Sequence, residues 1–154
     1  MRWQGGRRGG GIEDRRGMGG GAVAGGGIGV LVLAAIGYFV FASQTEQAGK
    51  MGTPEDQAGQ FVDVIGANIN DVWKTKLRGY TPPTTVLYEQ GTQTGCGYGQ
   101  AAMGPFYCPA DQKVYLDLSF WREMESKLGA SGADFAKAYV IAHEFGHHVQ
   151  TLTG

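Results

Sequence analysis

All three histidines of the 154-residue chain lie in the sequence HEFGHH at positions 143–148. This stretch contains the pattern H-E-x-x-H, in which the two outer histidines are four residues apart. Because residues four apart share one face of an α-helix, His143 and His147 can bind one zinc ion together. Glu144 would then take a proton from a water molecule that the zinc activates. The pattern predicts zinc-dependent hydrolysis, in preference to an exposed polar helix end or an unrelated metal-scavenging patch.

The zinc site that this motif predicts is incomplete within the sequence. A catalytic zinc ion needs a third protein ligand besides a water molecule. Three roles stay open for His148: support of the zinc ligands, contact with the substrate, or a purely structural role. No spacing argument selects a ligand among the upstream carboxylates, which are Asp111, Asp117, Glu123 and Glu125. We expect the third ligand, a carboxylate, to lie beyond Gly154, and we expect this chain to be the N-terminal part of a longer enzyme.

The elements that must position the motif are predicted from apolar spacing and from helix and strand signals. Ser131 and Asp134 form a capping box for the helix that carries the motif and runs to about Thr151. Another helix is predicted to start with Thr53 as its N-cap and Pro54 at its first position, and an apolar stripe follows at spacings of three and four residues. The other predicted elements are strands at 84–88 and 113–118, a loop at 91–104 and a short helix at 119–128 that ends at Gly129. This mixture predicts the α+β class.

A membrane segment is predicted near the N-terminus. Residues 22–42 carry no charge, and as a helix they would extend about 31 Å, enough to cross a hydrocarbon core of about 30 Å. We therefore expect a single transmembrane helix at Ala22–Ala42. The alternative is a secretory signal that is cleaved from the mature protein.

Charge is distributed unequally on the two sides of this segment. Residues 1–18 hold five arginines against Glu13 and Asp14, a net charge of +3, and the rest of the chain carries −4, which makes −1 in total. The positive-inside rule then puts the N-terminus in the cytoplasm and the rest outside. The expected organisation is a basic leader at 1–21, the membrane helix at 22–42, a linker at 43–52 and the domain with the H-E-x-x-H motif at 53–154. A total charge near zero argues against a nucleic-acid binder.

The two cysteines, Cys96 and Cys108, lie in the part of the chain that is expected outside the cytoplasm. Neither belongs to a C-x-x-C pair, which argues against a zinc site built from them. An oxidising compartment favours a disulfide between them, which would pin the glycine-rich loop to the strand that begins at Lys113.

Five parts of the sequence carry a family resemblance. They are MRW and RRGGGIEDRRG near the N-terminus, the expected membrane segment at 22–42, CGYGQAAMGPFYCPADQKVYLDLSFW in the middle and AYVIAHEFGHHVQ around the motif. Together they resemble the neutral zinc metallopeptidase family of bacterial membrane-anchored proteins with a zincin-like domain. The resemblance implies that His143 and His147 are zinc ligands and that Glu144 is the catalytic glutamate. It also matches Cys96 and Cys108 to cysteines of the family.

The fold that this resemblance implies is a partial zincin-like domain behind a single membrane helix. The function it implies is hydrolysis of peptide or protein substrates with Zn2+, in the periplasm or at the cell exterior. The third ligand would come from a downstream stretch rich in Glu, Asp and Cys, and the strand at 113–118 would bind extended substrate. The alternative is a catalytically inert, membrane-tethered binding or assembly module, because the ligand set of this chain is incomplete.

Overall fold

The computed structural model describes residues 1–17, 49–100 and 103–154 of the chain. Within these residues the chain forms seven strands and two helices, which we number in chain order. The strands are β1 (Ile12–Asp14), β2 (Lys50–Gly52), β3 (Thr84–Tyr88), β4 (Gly91–Thr94), β5 (Gly97–Gln100), β6 (Phe106–Cys108) and β7 (Lys113–Asp117). The helices are α1 (Gln57–Lys76) and α2 (Ser119–Thr153). The α+β class that the sequence predicts is confirmed.

Five of the strands form the central sheet, in the order β2-β1-β3-β7-β6. Strands β1, β3 and β7 run parallel, and the outer strands β2 and β6 are antiparallel to their neighbours. On one face, Leu87, Val114 and Leu116 pack with residues of both helices in the main hydrophobic core. Successive residues of a strand point to opposite faces, so Val86 and Tyr115 lie in a second cluster on the other face. The inner strands are therefore buried on both sides.

The N-terminal residues belong to the same fold as the rest of the described chain. Strand β1 pairs in parallel with β3, with Ile12 opposite Thr85, and it pairs with β2 on its other side. The ring of Trp3 meets the ring of Phe61 in α1 edge-on, with 5.2 Å between the two centroids. This placement contradicts the predicted architecture, in which a membrane helix separates the N-terminal residues from the domain.

The prediction of a single transmembrane helix between the N-terminal residues and the domain is therefore wrong. Within 1–17, 49–100 and 103–154, no helix combines the length and the apolar character that crossing a membrane requires. Residues 22–42, where the helix was expected, lie outside the described residues. One spanning helix there would hold 1–17 and the domain on opposite sides of a bilayer, whereas β1 and β3 are neighbours in one sheet. The prediction is wrong because it treated the charged segment before the apolar run as a free leader and missed its strand.

A buried carboxylate holds the N-terminal residues against α1. Arg8 donates through Nε to Oδ2 of Asp63 at 2.8 Å, and the Asp63 side chain is 2% exposed. The backbone N–H groups of Gly9 and Gly10 donate to Oδ1 of the same carboxylate, at 3.1 and 2.8 Å. A buried carboxylate is stable only with such partners. The approach is close at Gly9, where a Cβ would lie 3.2 Å from Cβ of Ala67.

The start of α1 differs from the prediction. The helix begins at Gln57 and its N-cap is Asp56, whereas the sequence predicts Thr53 as the N-cap. Oδ2 of Asp56 accepts a hydrogen bond from the N–H of Gly59 at 3.1 Å, which is the usual N-cap contact. Arg16 also donates to both oxygens of Asp56, each at 2.7 Å. Asp56 is thus also held by a contact with a residue 40 positions away, which no local pattern contains.

The pairing of Asp56 with Arg16 makes stability depend on pH. Hydrogen bonds from Arg16 are the main reason why the pKa of Asp56 falls to about 2; burial opposes the shift, and the N–H of Gly59 adds to it. A carboxyl whose pKa is lowered by folding stabilises the fold above its unfolded pKa of about 4, and this contribution is lost as the pH falls toward 2. We expect urea unfolding curves to show a smaller loss of stability between about pH 4.5 and pH 2 in Asp56→Asn than in the wild type.

A matched control for this measurement is Asp71→Asn. Asp71 pairs with Arg7 at 2.7 Å, but both side chains are 53% exposed, and exposed pairs contribute little. We expect its pH dependence to equal that of the wild type. If the free energy of unfolding fell equally with pH in Asp56→Asn and in the wild type, the stabilising pairing of Asp56 with Arg16 would be contradicted.

The segment predicted as a loop at 91–104 contains a β-hairpin. Strands β4 and β5 pair antiparallel, with Thr94 opposite Gly97. Gly97 has φ 106°, a conformation that side chains other than glycine rarely adopt. A Cβ on Gly99 would lie 2.6 Å from Cζ of Phe106. The glycines that suggested irregular structure are therefore needed for a tight turn and for close packing.

Candidate active site

The helix that carries the motif begins after a backbone break at Gly129, where φ is 74° and ψ is 167°. Glycine adopts this conformation readily, and other residues do so at a cost. The break divides α2 into a first segment at 119–128 (α2N) and a second segment at 130–153 (α2C). The helix end predicted at Gly129 is confirmed. The predicted capping role of the Ser131 side chain lies outside the described part of the chain.

The two faces of α2C have different surroundings. Ile141 and Phe145 are 0% and 1% exposed and belong to the main hydrophobic core. His143 and His147 lie on the exposed face. The helical repeat produces this separation, because residues four apart share a face while Phe145 points to the opposite side. The third residue of the motif therefore anchors the helix, and the first and fifth residues remain free for ligands.

The two motif histidines converge on one point. Their Nε2 atoms are 3.2 Å apart, and their ring centroids are 4.8 Å apart. Two nitrogens that each bind a tetrahedral zinc ion at about 2.05 Å would be about 3.3 Å apart. The separation in this structure therefore fits two ligands of one zinc ion.

The hydrogen bond between His147 and Gln150 also suits a zinc ligand. Oε1 of Gln150 lies 2.9 Å from Nδ1 of His147. An amide oxygen only accepts hydrogen bonds, so the tautomer with the proton on Nδ1 suits this contact and would leave the lone pair on Nε2 for a metal ion. Metal-binding histidines are commonly oriented by such a partner on their second nitrogen. Sequence reasoning missed Gln150, although its spacing of three residues from His147 is the signal that could have identified it.

The third ligand is not found among the residues that the structure describes. Within them, no group of three or more His, Cys, Asp and Glu side chains could hold a metal ion. The upstream carboxylates considered from the sequence all have other partners. These partners are backbone N–H groups for Asp111 and Asp117 and lysine side chains for Glu123 and Glu125. The residues present thus fit two positions of a zinc site.

Glu144 lines an open cleft of about 530 Å3 between α2C and the segment that contains β6. The residue is 9% exposed. Burial raises the pKa of Glu144, and the nearby His147 and His143 oppose this shift. A carboxyl group with a raised pKa in a cleft is suited to accept a proton and return it. The other residues that line the cleft are Pro105, Phe106, Tyr107, Pro109, His147, Gln150 and Thr151.

His148, whose role the sequence left open, lies on the buried face of α2C and is 0% exposed. Its Nε2 is 2.6 Å from the carbonyl oxygen of Thr81, and its Nδ1 is 2.8 Å from the hydroxyl oxygen of Tyr107. The rings of Tyr80 and Tyr107 contact the imidazole edge-on. His148 therefore connects α2C to the segment before β3 and to β6, away from the convergence point of the other two histidines.

The predicted disulfide between Cys96 and Cys108 is confirmed, with 2.08 Å between the sulfur atoms. It joins the tip of the β4–β5 hairpin to the end of β6.

The prediction that the strand at 113–118 binds substrate is wrong. This strand forms β7, which pairs with β3 on one side and with β6 on the other, so neither of its edges is open to a peptide.

Comparison with known protein families gives a match along the whole chain. The family model for Putative neutral zinc metallopeptidase matches residues 1–154. The chain belongs to this family. The resemblance seen in the sequence is thereby confirmed, and the N-terminal residues that form β1 are part of the match.

Curated relatives give the extent of the similarity. Uncharacterized protein YpfJ of Escherichia coli (strain K12) is 44% identical over 179 residues, which cover 100% of this chain and 62% of the relative. Uncharacterized protein Rv2575 of Mycobacterium tuberculosis (strain ATCC 25618 / H37Rv) is 45% identical over 93 residues, which cover 60% of this chain and 32% of the relative. The chain thus spans less than two thirds of the length of these relatives. No solved structure matches it with significance.

Proposed function

We propose that this family member contributes the catalytic centre of a zinc-dependent peptidase that hydrolyses peptide bonds in peptide or protein substrates. The observation that carries the proposal is the convergence of His143 and His147, whose Nε2 atoms are 3.2 Å apart. Glu144 supports it, because it is a mostly buried carboxyl group in the adjoining cleft. The chain spans 62% of the Escherichia coli relative, so the proposal concerns the whole protein that contains this chain.

His143 and His147 would hold the zinc ion through their Nε2 atoms. The third protein ligand would come from residues outside the described part of the chain. When bound, zinc supplies Lewis acidity toward a substrate carbonyl and lowers the pKa of a water molecule to about 7. Gln150 keeps the His147 ring in the orientation and tautomer that this binding needs.

Glu144 moves the protons of the proposed reaction. Its carboxylate accepts a proton from the attacking water and donates it to the nitrogen of the leaving amine, as the bond between that nitrogen and the carbonyl carbon breaks. The carboxyl group must hold the proton between these two transfers. The raised pKa that follows from burial supports this role.

The position of β6 supports an extended peptide as the substrate. This strand pairs with β7 on one side, and no other strand of the described residues pairs with its second side. A peptide that added to this edge would lie in the cleft beside Glu144 and His147. The cleft wall contributed by this segment is largely apolar, with Pro105, Phe106 and Pro109. We therefore expect apolar side chains next to the scissile bond.

The disulfide supports an activity outside the cytoplasm. Disulfides persist in oxidising compartments and are rare in the reducing cytoplasm, and Cys96 is bonded to Cys108 in this fold. We therefore propose that the domain acts in the periplasm or at the cell exterior. Residues 1–17 would lie in the same compartment, because they share the central sheet.

Zinc binding tests the proposal directly. We expect the metal-free protein to bind one zinc ion per molecule and His147→Ala to weaken this binding by more than about 100-fold, since a direct ligand contributes more than an outer partner. Gln150→Ala should weaken it by about tenfold. Calorimetric titration with zinc measures both effects, and the exposed Asp71→Asn serves as the control. Equal affinity of His147→Ala and the wild type would contradict the proposal.

The alternative function is a binding or assembly module without catalytic activity. The observation that favours it is that two, and not three, metal-binding side chains come together in the described part of the chain. On this alternative, the whole protein binds zinc weakly and cleaves no peptide. Tight binding of one zinc ion together with peptide cleavage favours the peptidase.

A further inference from the structure

Strand β6 lies at an edge of the central sheet beside the candidate active site, and few contacts hold it there. It pairs with β7 over three residues, with Tyr107 opposite Val114, and no other strand of the described residues pairs with its second side. The hydroxyl oxygen of Tyr107 also lies 2.8 Å from Nδ1 of His148 in α2C. Short edge strands open readily, because few hydrogen bonds have to break. Further contacts are therefore needed to keep β6 in the position that the proposed peptide pairing requires.

The β4–β5 hairpin supplies such contacts from the face of the sheet opposite to α2C. Cys108 belongs to the second hydrophobic cluster and is 0% exposed, and its sulfur is bonded to that of Cys96 in the turn of the hairpin. At the other end of β6, Phe106 packs closely against Gly99 of the hairpin, where a Cβ would lie 2.6 Å from Cζ of Phe106. Both ends of β6 therefore contact the hairpin, and one of these contacts is covalent.

A hydrogen bond reinforces the disulfide at the turn of the hairpin. The N–H of Gly95 donates to Oδ2 of Asp111 at 2.9 Å, and Oδ1 of the same carboxylate accepts from the N–H of Lys113 at 3.1 Å. Asp111 lies between β6 and β7, so it connects the hairpin to the turn that follows β6. Pro109, in the same turn, lines the cleft that contains Glu144. The hairpin is thus fixed next to the cleft wall.

We propose that the Cys96–Cys108 disulfide positions β6 so that its outer edge is ready to pair with an extended peptide substrate. The bond acts through β6 and is not itself a catalytic group. It joins residues 12 positions apart, and such a cross-link reduces the conformations open to the chain between them. A peptide that binds to β6 then does not have to order the strand first. The inference rests on the proposed peptidase function.

The zinc ligands should not depend on this bond. His143 and His147 lie on α2C, which Ile141 and Phe145 anchor in the main hydrophobic core on the other face of the sheet. Loss of the disulfide should therefore weaken peptide binding and leave the zinc affinity unchanged. This combination separates a positioning role from general support of the fold.

Kinetics of Cys96→Ser tests the inference in the protein that contains this chain. Cys96 is exposed, so serine fits its position and Cys108 stays packed. With a quenched-fluorescence peptide as substrate, we expect KM to rise about tenfold, as it would if β6 were in place in about one molecule in ten. The kcat should stay within about twofold, because β6 is in place in every substrate complex. An unchanged KM, a loss confined to kcat, or a loss of zinc affinity of about tenfold overturns the inference.

Val62→Ala is the matched control for loss of stability. Removal of a native disulfide lowers stability, and so does truncation of a buried valine. Val62 in α1 is 1% exposed and belongs to the main core, on the face of the sheet away from the hairpin. We expect both variants to unfold at lower temperatures than the wild type and KM to rise only in Cys96→Ser. Equal rises in KM overturn the inference, since KM would then follow stability and not the position of β6.

Hydrogen exchange of the β6 amides tests the same contact without catalysis, and it applies even if Cys96→Ser does not fold. Folded wild-type protein is treated with a water-soluble phosphine, which reduces the disulfide to two thiols and is itself oxidised to the phosphine oxide. We expect the amides of 106–108 to exchange about tenfold faster after reduction and those of β3 to exchange at the same rate. Equal rates at 106–108 before and after reduction overturn the inference. Absence of Glu144-dependent cleavage contradicts the proposed function instead, because the exchange of β6 depends neither on zinc nor on cleavage.

Discussion

Replacement of Glu144 by glutamine is expected to lower kcat for peptide hydrolysis by about 100- to 10,000-fold, which is the usual contribution of a general acid–base. Glutamine has the size and shape of glutamate, but it cannot accept a proton from the attacking water. The substitution leaves His143 and His147 in place, so the zinc affinity should remain within a few fold. Cleavage of quenched-fluorescence peptides by the zinc-loaded protein measures the effect.

The stability of the same variant should change in the opposite direction. Burial raises the pKa of Glu144 above its unfolded value, so the ionised carboxylate at neutral pH opposes folding and its removal relieves this cost. We expect zinc-free Glu144→Gln to unfold at a temperature no lower than the wild type. Glu123→Gln is the matched control, because Glu123 is an exposed residue of α2N that pairs with Lys127 at 3.0 Å. Peptidase activity within twofold of the wild type would exclude Glu144 as the general base.

Phe145→Ala is expected to lower the free energy of unfolding by about 3–5 kcal/mol, as for other buried phenylalanines. Phe145 is 1% exposed and lies in the main core. It packs against α1 so closely that a Cβ on Gly66 would be 3.4 Å from its Cζ. Alanine would leave a cavity between the two helices. Urea unfolding measures the loss, and zinc affinity should fall as well, because the helix between His143 and His147 loses its anchor.

The matched control for this substitution is Phe135→Ala. Phe135 lies on the same helical segment, α2C, but it is 71% exposed. We expect its replacement to change the free energy of unfolding by no more than about 0.5 kcal/mol. A loss below about 1 kcal/mol for Phe145→Ala would show that the motif helix does not depend on this core contact.

Several elements of the fold could be predicted because their causes are local. Strand β3 was predicted at 84–88, where it occurs, from its β-branched and aromatic residues. The helix that carries the motif was predicted from helix-start residues next to it in the sequence, and the break before it follows from the conformations that Gly129 allows. The disulfide could be predicted because the chain has two cysteines in total.

Other elements could not be predicted because their causes are distant in the sequence. Strand β1 holds only three residues, IED, and its place beside β3 depends on pairing between Ile12 and Thr85. Strand β2 lies within the predicted linker at 43–52, and among the described strands its partner is β1. The membrane helix was wrongly predicted for the same reason. The prediction used only the apolar run at 22–42 and did not include the pairing of β1, which precedes that run, with β3.

The residue types and spacing of H-E-x-x-H are enough to predict the chemistry of the candidate site, because a helix necessarily puts residues four apart on one face. The tertiary structure alone decides which groups surround that face. It orients His147 through Gln150, buries His148 against Thr81 and Tyr107, and puts β6 rather than β7 at an edge of the sheet that the described residues form. The physical reason is that helix periodicity is a property of neighbouring residues, whereas the hydrogen bonds of His148 join residues 41 and 67 positions apart.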